Sequence, residues 1–372
     1  MNLYYLTTLT YPSAYANRQQ VFKMCEAFSA HSSVTFGTGT VAVPTEELFR
    51  AFGAKTKFLI SPSPQRTHFP KSMWFSRGIL PLVHRAPPDT IFYCREPLLA
   101  FWLICFSRRF RKCFFYECHS LHRFTPLLYK IIFRFTRGII VTTASKKIVI
   151  ESWRIQAPIL VEPNAIDLNR FAAMPADKNE ARILLNLPRD KTILLYIGGF
   201  IPDRGIYTLL EAARQNTHEN WYFLFAGGTE DQQKALAHEL RHDHIHARGR
   251  IPYEEVPVYL AAADVLLAAP SKKYDPLKKY LHGSPLKIPE YMHAERPIVI
   301  TDLPMIREWV SEHEVFFFEP DNAADLLRAV ERVFTDPVAT EAKVKRAKSK
   351  VLRHTWQQRA ERIVSFIRTC TA

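Results

Sequence analysis

Short apolar runs alternate with amphipathic segments along most of this chain. Residues 3–9, 192–197 and 298–300 are rich in aliphatic, β-branched and aromatic side chains. Such runs are typical of strands that are buried on both faces of a parallel sheet. The segments between them carry apolar residues at the spacing of helices that pack on one side. Strands alternating with helices predict βαβ units, so we expect an α/β fold built from parallel sheets.

The alternating pattern occurs as two series, and the break between them predicts two domains. A chain of 372 residues is long for a single hydrophobic core. The pattern weakens over residues 167–190, where 174–179 are polar and turn-rich, and we place the domain boundary in this region. The alternation of strand and helix patterns is also less regular at residues 43–90. Their Pro-rich, aromatic part at 61–88 is interpreted as an ordinary long connection or as an acceptor-binding loop, the connection being favoured.

The composition is that of a folded protein rather than a disordered one. Hydrophobic residues make up 47% of the chain and charged residues 23%. No apolar run approaches the roughly eighteen residues that can span a bilayer, and no secretory signal is recognised at the N-terminus. We therefore expect a cytoplasmic protein. The six cysteines contain no C-x-x-C pair, which argues against a zinc site or a disulfide framework.

Positive charge is concentrated between residues 101 and 154 of a chain whose formal net charge is +14. Only Glu117 and Glu151 oppose the basic residues there, and aromatic and aliphatic side chains lie between them. The segment is either a solvated basic face or a surface that docks on an anionic membrane, where each basic residue contributes about 1 kcal/mol. No nucleic-acid-binding module is recognised, so nucleic acid is not an expected partner. The basic residues are Arg108, Arg109, Arg111, Lys112, Arg123, Lys130, Arg134, Arg137, Lys146, Lys147 and Arg154.

Two adjacent glycines in the second half of the chain suggest a phosphate site. Gly198 and Gly199 directly follow the predicted strand at 192–197, and Arg204 precedes the next predicted helix. Glycines after a strand allow a phosphate to approach the backbone closely, and a basic residue adds charge. The pattern is not G-x-G-x-x-G, so a dinucleotide cofactor is not expected.

A second candidate phosphate site lies at residues 282–301. Lys287 and Glu290 occupy the start of a short predicted helix that follows a loop with Gly283, Ser284 and Pro285. Backbone N–H groups at a helix start attract anions, and Lys287 adds a full charge. The same pattern is equally compatible with an ordinary capped helix.

Two residues of the first half lie where parallel α/β sheets bind ligands. Arg95 and His119 each follow the C-terminal end of a predicted strand. For a lone histidine, hydrogen bonding to nearby backbone groups is the more common explanation.

Several separated motifs, taken in order, resemble glycosyltransferase family 4, the retaining nucleotide-sugar enzymes of the GT-B fold. The first half resembles the family more loosely, and S-P-L-K-x-x-E-Y-M indicates a subgroup. The motifs of the second half are VEPNAIDLNRF (161–171), LLYIGGFIPDRGIYTLLEA (194–212), FLFAGG (223–228), RGRIPYEEVPVYLAAADVLLAAPS (248–271) and SPLKIPEYMHAERPIVITDLPMIRE (284–308). Those of the first half are YPSAYANRQQVFKMCEAF (11–28), IFYCREPLLA (91–100) and YECH (116–119).

The resemblance implies two Rossmann-like domains with parallel sheets facing a central cleft. The N-terminal, acceptor-binding domain would cover residues 1–170, together with a C-terminal helix at about 355–372 that crosses back onto it. The C-terminal domain, at 171–354, would bind the nucleotide-sugar.

The resemblance also implies roles for individual residues. Arg204 would contact the diphosphate, Glu290 the nucleotide ribose, and His119 the donor sugar. His282 stands where the family's paired-glutamate motif has its first glutamate, eight residues before Glu290, and is a possible donor-sugar contact. The implied catalytic residues are His119, Arg204 and Lys287. The implied donor-binding residues are Gly198, Gly199, Arg204, Arg250, Ile251, Ser284, Leu286, Lys287 and Glu290.

The expected activity is that of a metal-independent, retaining glycosyltransferase without a cofactor. It would move a sugar from a nucleotide-sugar, with a UDP-sugar favoured, to a hydroxyl of a glycan or lipid-linked acceptor. The expected setting is synthesis of cell-surface polysaccharide or glycolipid, at the inner face of the membrane. The alternatives are a nucleotide-sugar epimerase, an inverting transferase, or a non-catalytic partner of a transferase complex.

Overall fold

The protein divides into two compact units, Met1–Ala165 with Thr355–Ala372 and Ile166–His354. The boundary falls five residues earlier than the expected end of the first domain at residue 170. The reason is that Ile166 and Phe171 both pack in the core of the second unit, whereas Ala165 packs in that of the first. The structure is a computed structural model that describes residues 1–13, 16–63, 71–121, 126–172, 174–175 and 177–371.

Each unit contains one sheet whose strands all pair in parallel, which confirms the α/β prediction. The spatial order is β3-β2-β1-β4-β5-β6-β7 in the first unit and β10-β9-β8-β11-β12-β13 in the second. The strands of the first unit are β1 (Asn2–Leu6), β2 (Ser33–Thr38), β3 (Leu59–Pro62), β4 (Thr90–Cys94), β5 (Phe114–Cys118), β6 (Gly138–Val141) and β7 (Ile159–Val161). Those of the second unit are β8 (Thr192–Ile197), β9 (Trp221–Ala226), β10 (Ile245–Arg248), β11 (Val265–Ala268), β12 (Ile298–Thr301) and β13 (Phe316–Phe318).

Helices connect these strands in both units, as the βαβ pattern requires. Those between the strands of the first unit are α1 (Ala16–Ser29), α2 (Thr45–Ala51), α3 (Lys71–Arg85), α4 (Pro97–Phe106), α5 (Arg108–Lys112), α6 (Pro126–Phe135) and α7 (Ala144–Ser152). The second unit contains α8 (Lys178–Leu184), α9 (Ile206–Gln215), α10 (Glu230–Ala235), α11 (Val256–Ala262), α12 (Lys287–His293), α13 (Pro304–Arg307), α14 (Ala323–Thr335) and α15 (Pro337–Val351). Helix α16 (Trp356–Thr371) ends the chain. Short 3₁₀ helices occupy Leu168–Phe171, Pro202–Arg204, Tyr253–Glu255 and Lys279–Leu281.

The first unit is closed by the last helix of the chain. Trp356, Ile363 and Ile367 of α16 are buried in the same core cluster as Phe22 and Phe28 of α1. Because α16 packs on α1, the two ends of the chain are held in one unit.

The ordinary long connection favoured at 61–88 is wrong for the described part of that range, because most of it forms α3. Helix α3 buries Phe75, Ile79 and Val83 in a core cluster of the first unit. Phe75 therefore serves packing, and Pro81 inside the helix obscures its helical character in the sequence. The less regular stretch at 43–90 also contains α2 and β3.

Among the described residues, no helix has both the length and the apolar character needed to cross a bilayer. Cys25, Cys94 and Cys118 are buried free thiols, as expected for core residues, whereas Cys105 is exposed.

Candidate active site

Two glycine-bearing loops meet at the C-terminal ends of β8 and β9. Gly198 donates from its N–H to Ala226, and its carbonyl accepts from the N–H of Gly228 (2.9 and 3.1 Å). Gly227 has a φ of +121°, and a Cβ there would lie 2.3 Å from the Gly198 carbonyl oxygen. A side chain at Gly227 would therefore force the two loops apart.

The turn after Gly199 leads directly into the Arg204 segment. Arg204 ends the 3₁₀ helix at Pro202–Arg204, and its side chain is exposed. Gly205 follows at φ +76°, where a Cβ would lie 1.4 Å from the carbonyl oxygen of Ala269. Only glycine fits this position, so the Arg204 turn is held against the loop that follows β11.

Lys287 is the first residue of α12 and lies against the glycine loop. Its Nζ is 4.4 Å from the centroid of the Tyr196 ring, a cation–π contact, and would be 2.8 Å from a Cβ placed on Gly198. Tyr196 itself donates a hydrogen bond to the carbonyl of Gly199 (2.9 Å). The structure thus brings together Gly198, Tyr196 and Lys287.

The charge of Lys287 is disfavoured in this environment. Burial, and next the positive charge of Arg204, lower the pKa of Lys287 to about 7, while Glu290 opposes the shift. Within the described chain, neither Lys287 nor Arg204 forms an ion pair with a carboxylate. Because the two cations repel each other, an anion bound beside them would be stabilised.

Glu290 is held by Arg170, which lies in the motif at 161–171 but has no role assigned from the sequence. Arg170 donates from Nη1 to Glu290 Oε1 and from Nε to the carbonyl of Tyr253 (2.9 Å). Its guanidinium also stacks on the Tyr253 ring, 3.3 Å from the centroid. Arg170 and Glu290 have side chains only 7% and 19% exposed, so Arg170 fixes the carboxylate predicted to bind ribose.

The segment with the predicted donor-binding residues Arg250 and Ile251 is hydrogen-bonded to a glycine loop. The N–H of Gly227 donates to the carbonyl of Gly249 (3.1 Å). Arg250 is exposed, and Ile251 packs partly buried against the core of the second unit. The same chain segment continues to Tyr253, which contacts Arg170.

The loop before α12 contains the remaining predicted donor residues. His282, Ser284 and Leu286 are all half-buried, and Leu286 precedes α12 without a side-chain cap. Tyr291 anchors this helix, since its hydroxyl accepts from the N–H of Ile197 (3.2 Å) and donates to the carbonyl of Leu267 (3.3 Å). With seven residues the helix is short, so the charge of Lys287 matters more here than the helix dipole.

His119 lies in the first unit, directly after β5, and contacts a buried acid. Its Nε2 is 2.9 Å from Oε1 of Glu117, although the oxygen lies out of line with a straight N–H hydrogen bond. Burial, and next the positive charge of Arg95, lower the pKa of His119 to about 4, against the opposing effect of Glu117. The imidazole is therefore neutral at pH 7, and it is not a histidine bonded only to backbone.

Arg95 lies at the end of the neighbouring strand β4. It donates from Nη1 to Oε1 of Gln20 (3.1 Å), and its carbonyl accepts from the Tyr116 hydroxyl (3.1 Å). Because its charge shifts the pKa of His119, the two residues at these strand ends share one electrostatic environment, as their positions predict.

The basic segment is only partly a basic surface in its described portion, 101–121 and 126–154. Arg108, Lys112, Lys130, Arg134 and Arg137 are exposed, and apolar Leu127 and Ile148 are exposed beside them in the sequence. Lys146 is buried instead and donates to the hydroxyl of Thr142 (2.6 Å), so its inclusion in a solvated face is wrong. Arg123 lies outside the described residues.

Residues 177–351 match the family model for glycosyl transferases group 1. The matched residues cover most of the second unit, Ile166–His354. The putative teichuronic acid biosynthesis glycosyltransferase TuaC of Bacillus subtilis is 27% identical over 172 residues, which are 46% of this chain and 40% of the relative. The chain spans less than half the length of the curated relatives it matches.

Two solved structures share the fold over nearly the whole chain. The Anabaena protein Alr3699/HepE in complex with UDP-glucose has a TM-score of 0.76 at 14% identity, covering 99% of this chain and all (100%) of the other. Sucrose-phosphate synthase from Thermosynechococcus elongatus has a TM-score of 0.73 at 18% identity, covering 99% and 98%. The expected GT-B fold class, with two parallel-sheet α/β domains, is confirmed.

Sequence reasoning missed the partners that hold the predicted residues. Tyr196 contacts Lys287, Arg170 pairs with Glu290, and Glu117 contacts His119. One signal was present in the sequence, because a glutamate within the apolar strand run FFYEC is unusual and needs a buried partner.

Proposed function

We propose that this protein is a retaining, metal-independent glycosyltransferase that uses a nucleotide-sugar, with a UDP-sugar favoured. The observation that carries the proposal is the pair of cations, Lys287 and Arg204, beside the glycine loop and without a carboxylate partner in the described chain. A diphosphate is the natural anion for such a site, since it spans two charges. The group 1 domain match and the UDP-glucose complex of HepE support this choice of ligand.

In the proposed reaction the protein's own cations stabilise the departing nucleotide. Arg204 and the protonated form of Lys287 would receive the charge that develops on the diphosphate as the glycosidic bond breaks. Glu290, oriented by Arg170, would hold the ribose. His119 would contact the donor sugar through a neutral imidazole, and a leaving phosphate oxygen would accept the proton of the acceptor hydroxyl.

The acceptor is proposed to be a hydroxyl of a glycan or of a lipid-linked sugar. Teichuronic acid biosynthesis, named for TuaC and TuaH of Bacillus subtilis, supports a role in cell-surface polysaccharide synthesis. The exposed basic and apolar residues around α6 and α7 support binding of the first unit to an anionic membrane from the cytoplasmic side. Co-sedimentation with vesicles with and without phosphatidylserine tests this, with Arg134→Glu/Arg137→Glu expected to lose binding and Lys345→Glu to retain it.

The decisive experiment measures nucleotide release and product with a panel of nucleotide-sugars, for the natural sequence and for Arg204→Ala. We expect turnover with one donor, a thermal shift with its nucleoside diphosphate, and unchanged turnover after chelation of metals. Retention of the anomeric configuration, seen by NMR of the product, separates the proposal from an inverting transferase. An isomerised donor without transfer would indicate an epimerase. A protein without turnover or nucleotide binding would be a non-catalytic partner.

A further inference from the structure

A carboxylate sits at the end of a strand that is otherwise apolar. Glu117 lies in β5, whose five residues are all buried, and is itself 1% exposed. Burial alone would raise the pKa of its carboxyl, but Arg359 and then His119 hold it well below its usual range. Glu117 is therefore ionised at neutral pH.

Arg359 brings the compensating charge from the last helix of the chain. The side chain is fully buried, and its Nη2 donates to Oε1 of Glu117 (2.6 Å). Nε donates to the carbonyl of Pro163 (2.7 Å), Nη2 also reaches the carbonyl of Glu162 (3.2 Å), and Nη1 contacts the sulfur of Met24 (3.1 Å). With these contacts on three sides, Arg359 has little freedom to move.

The carboxylate oxygen that accepts from Arg359 also faces the imidazole of His119. Glu117 Oε1 is 2.9 Å from His119 Nε2, and Glu117 Oε2 is 3.5 Å from the Tyr5 hydroxyl. A small rotation of the imidazole would align its N–H with the carboxylate, as catalytic hydrogen bonds often tighten only when substrate binds. An anionic acceptor at Nε2 favours the tautomer that carries its proton there and leaves Nδ1 unprotonated.

We propose that Glu117 and Arg359 are positioning residues for His119: Arg359 fixes the carboxylate, and the carboxylate selects the Nε2-protonated tautomer so that Nδ1 can accept a hydrogen bond from a donor-sugar hydroxyl. The hydrogen bond between Nδ1 and a donor-sugar hydroxyl rests on the proposed function. The charged groups that act on the imidazole are Arg95 after β4, Glu117 on β5 and Arg359 on α16. Two cations and one anion surround a ring that stays neutral.

A purely structural role, tying α16 to the first unit, is the competing explanation. The same helix offers a matched control, because Arg362 makes a bidentate pair with Glu162, a residue 3% exposed (2.8 Å for both bonds). The charged groups that shift the pKa of His119 do not include this pair. It ties α16 to the unit as Arg359 does but should not influence His119.

The test combines NMR with kinetics on the full chain. The nitrogen shifts of His119, assigned by comparison with His119→Gln, report its tautomer without any need for activity. We compare the natural sequence with Glu117→Gln, with the charge-balanced double variant Glu117→Gln/Arg359→Gln, and with the control Glu162→Gln/Arg362→Gln. The double variant removes an ion pair without leaving a lone buried charge, so it keeps the test valid if Glu117→Gln fails to fold.

We expect the Nε2-protonated tautomer in the natural sequence and in the control, and a mixture of tautomers in the folded double variant. The kcat of the double variant should fall by about 10- to 100-fold, as for other residues that orient a functional histidine, with a smaller change in the KM for donor. An Nδ1-protonated ring in the natural sequence, or an unchanged tautomer and kcat in the double variant, would overturn the proposal. If no donor is turned over, the proposed function fails, while the tautomer still decides whether Glu117 orients His119.

Discussion

Arg359 in the first unit and Lys287 in the second differ in how their positive charges are compensated. In the first, Arg359 is fully buried and paired with Glu117, whose pKa is held well below its usual range. In the second, Lys287 has no ion-pair partner in the described chain, and burial beside Arg204 lowers its pKa to about 7. A charge neutralised within the fold orients other groups, whereas a charge left uncompensated is available to a ligand. The comparison therefore separates positioning residues from ligand-binding ones.

The largest expected effect is on stability in the first unit. Arg359→Met should destabilise the protein by about 3–5 kcal/mol, because it leaves Glu117 buried and ionised without its partner. Thermal and urea denaturation measure the loss. Arg368→Met on the exposed side of the same helix is the control and should change stability by less than about 0.5 kcal/mol. Equal effects of the two substitutions would contradict the special position of Arg359.

Lys287→Met should have the opposite effect on stability and a large effect on activity. We expect kcat/KM to fall by about 10²- to 10³-fold, as when a preorganised group that stabilises developing charge is removed. The control Lys345→Met, exposed on α15, should retain the activity of the natural sequence.

The Lys287→Met variant should melt a few degrees higher than the natural sequence near pH 7. The folded-state pKa of Lys287, about 7, is below that of an unfolded lysine, so the folded protein binds fewer protons between these values. The loss of folding stability caused by Lys287 is complete below pH 7 and disappears as the pH rises above about 10.4. A lower melting temperature for Lys287→Met would show that the lysine stabilises the fold and would remove the contrast with Arg359.

Arg170→Met tests whether the second unit also contains a positioning pair. Since Arg170 holds Glu290 and stacks on Tyr253, its loss should weaken UDP binding about tenfold, the magnitude of one charged hydrogen bond. Calorimetric titration with UDP measures the affinity. Arg296→Met, which removes hydrogen bonds to the carbonyls of Ala261 and Glu295, is the control for general loosening of the unit. An unchanged UDP affinity in Arg170→Met would mean that Glu290 needs no orientation.

The smallest expected effect is a pH dependence of donor affinity. Lys287 must be protonated to bind a diphosphate well, so affinity for UDP-glucose should fall as pH rises above about 7, at most tenfold per pH unit. UDP-glucose is the better probe for this measurement, because UDP has a terminal phosphate that itself titrates near pH 6 and UDP-glucose does not. Lys287→Arg should remove the dependence, because arginine stays charged. A slope that persists in Lys287→Arg would assign the titration to another group.

Much of the fold could be predicted from local pattern. The strand at Thr192–Ile197 agrees with its apolar run to the residue, and the strand at Ile298–Thr301 is one residue longer than its run at 298–300. Both runs are short, continuous and bounded by turn residues. The pattern failed at α3, where Pro81 interrupts the helical signal. The candidate site was predicted as separate residues at strand ends and at a helix start, because those positions depend only on the order of elements.

The sequence by itself determined the two parallel-sheet domains and the places where Lys287, Glu290, Arg204 and His119 occur. The tertiary structure alone decided which charges are compensated. Arg170 and Glu290 are 120 positions apart in the chain, and Glu117 and Arg359 are 242 apart. The physical reason is that hydrophobic periodicity is a local property of the chain, whereas the pKa of a buried group depends on which distant charges the fold places against it.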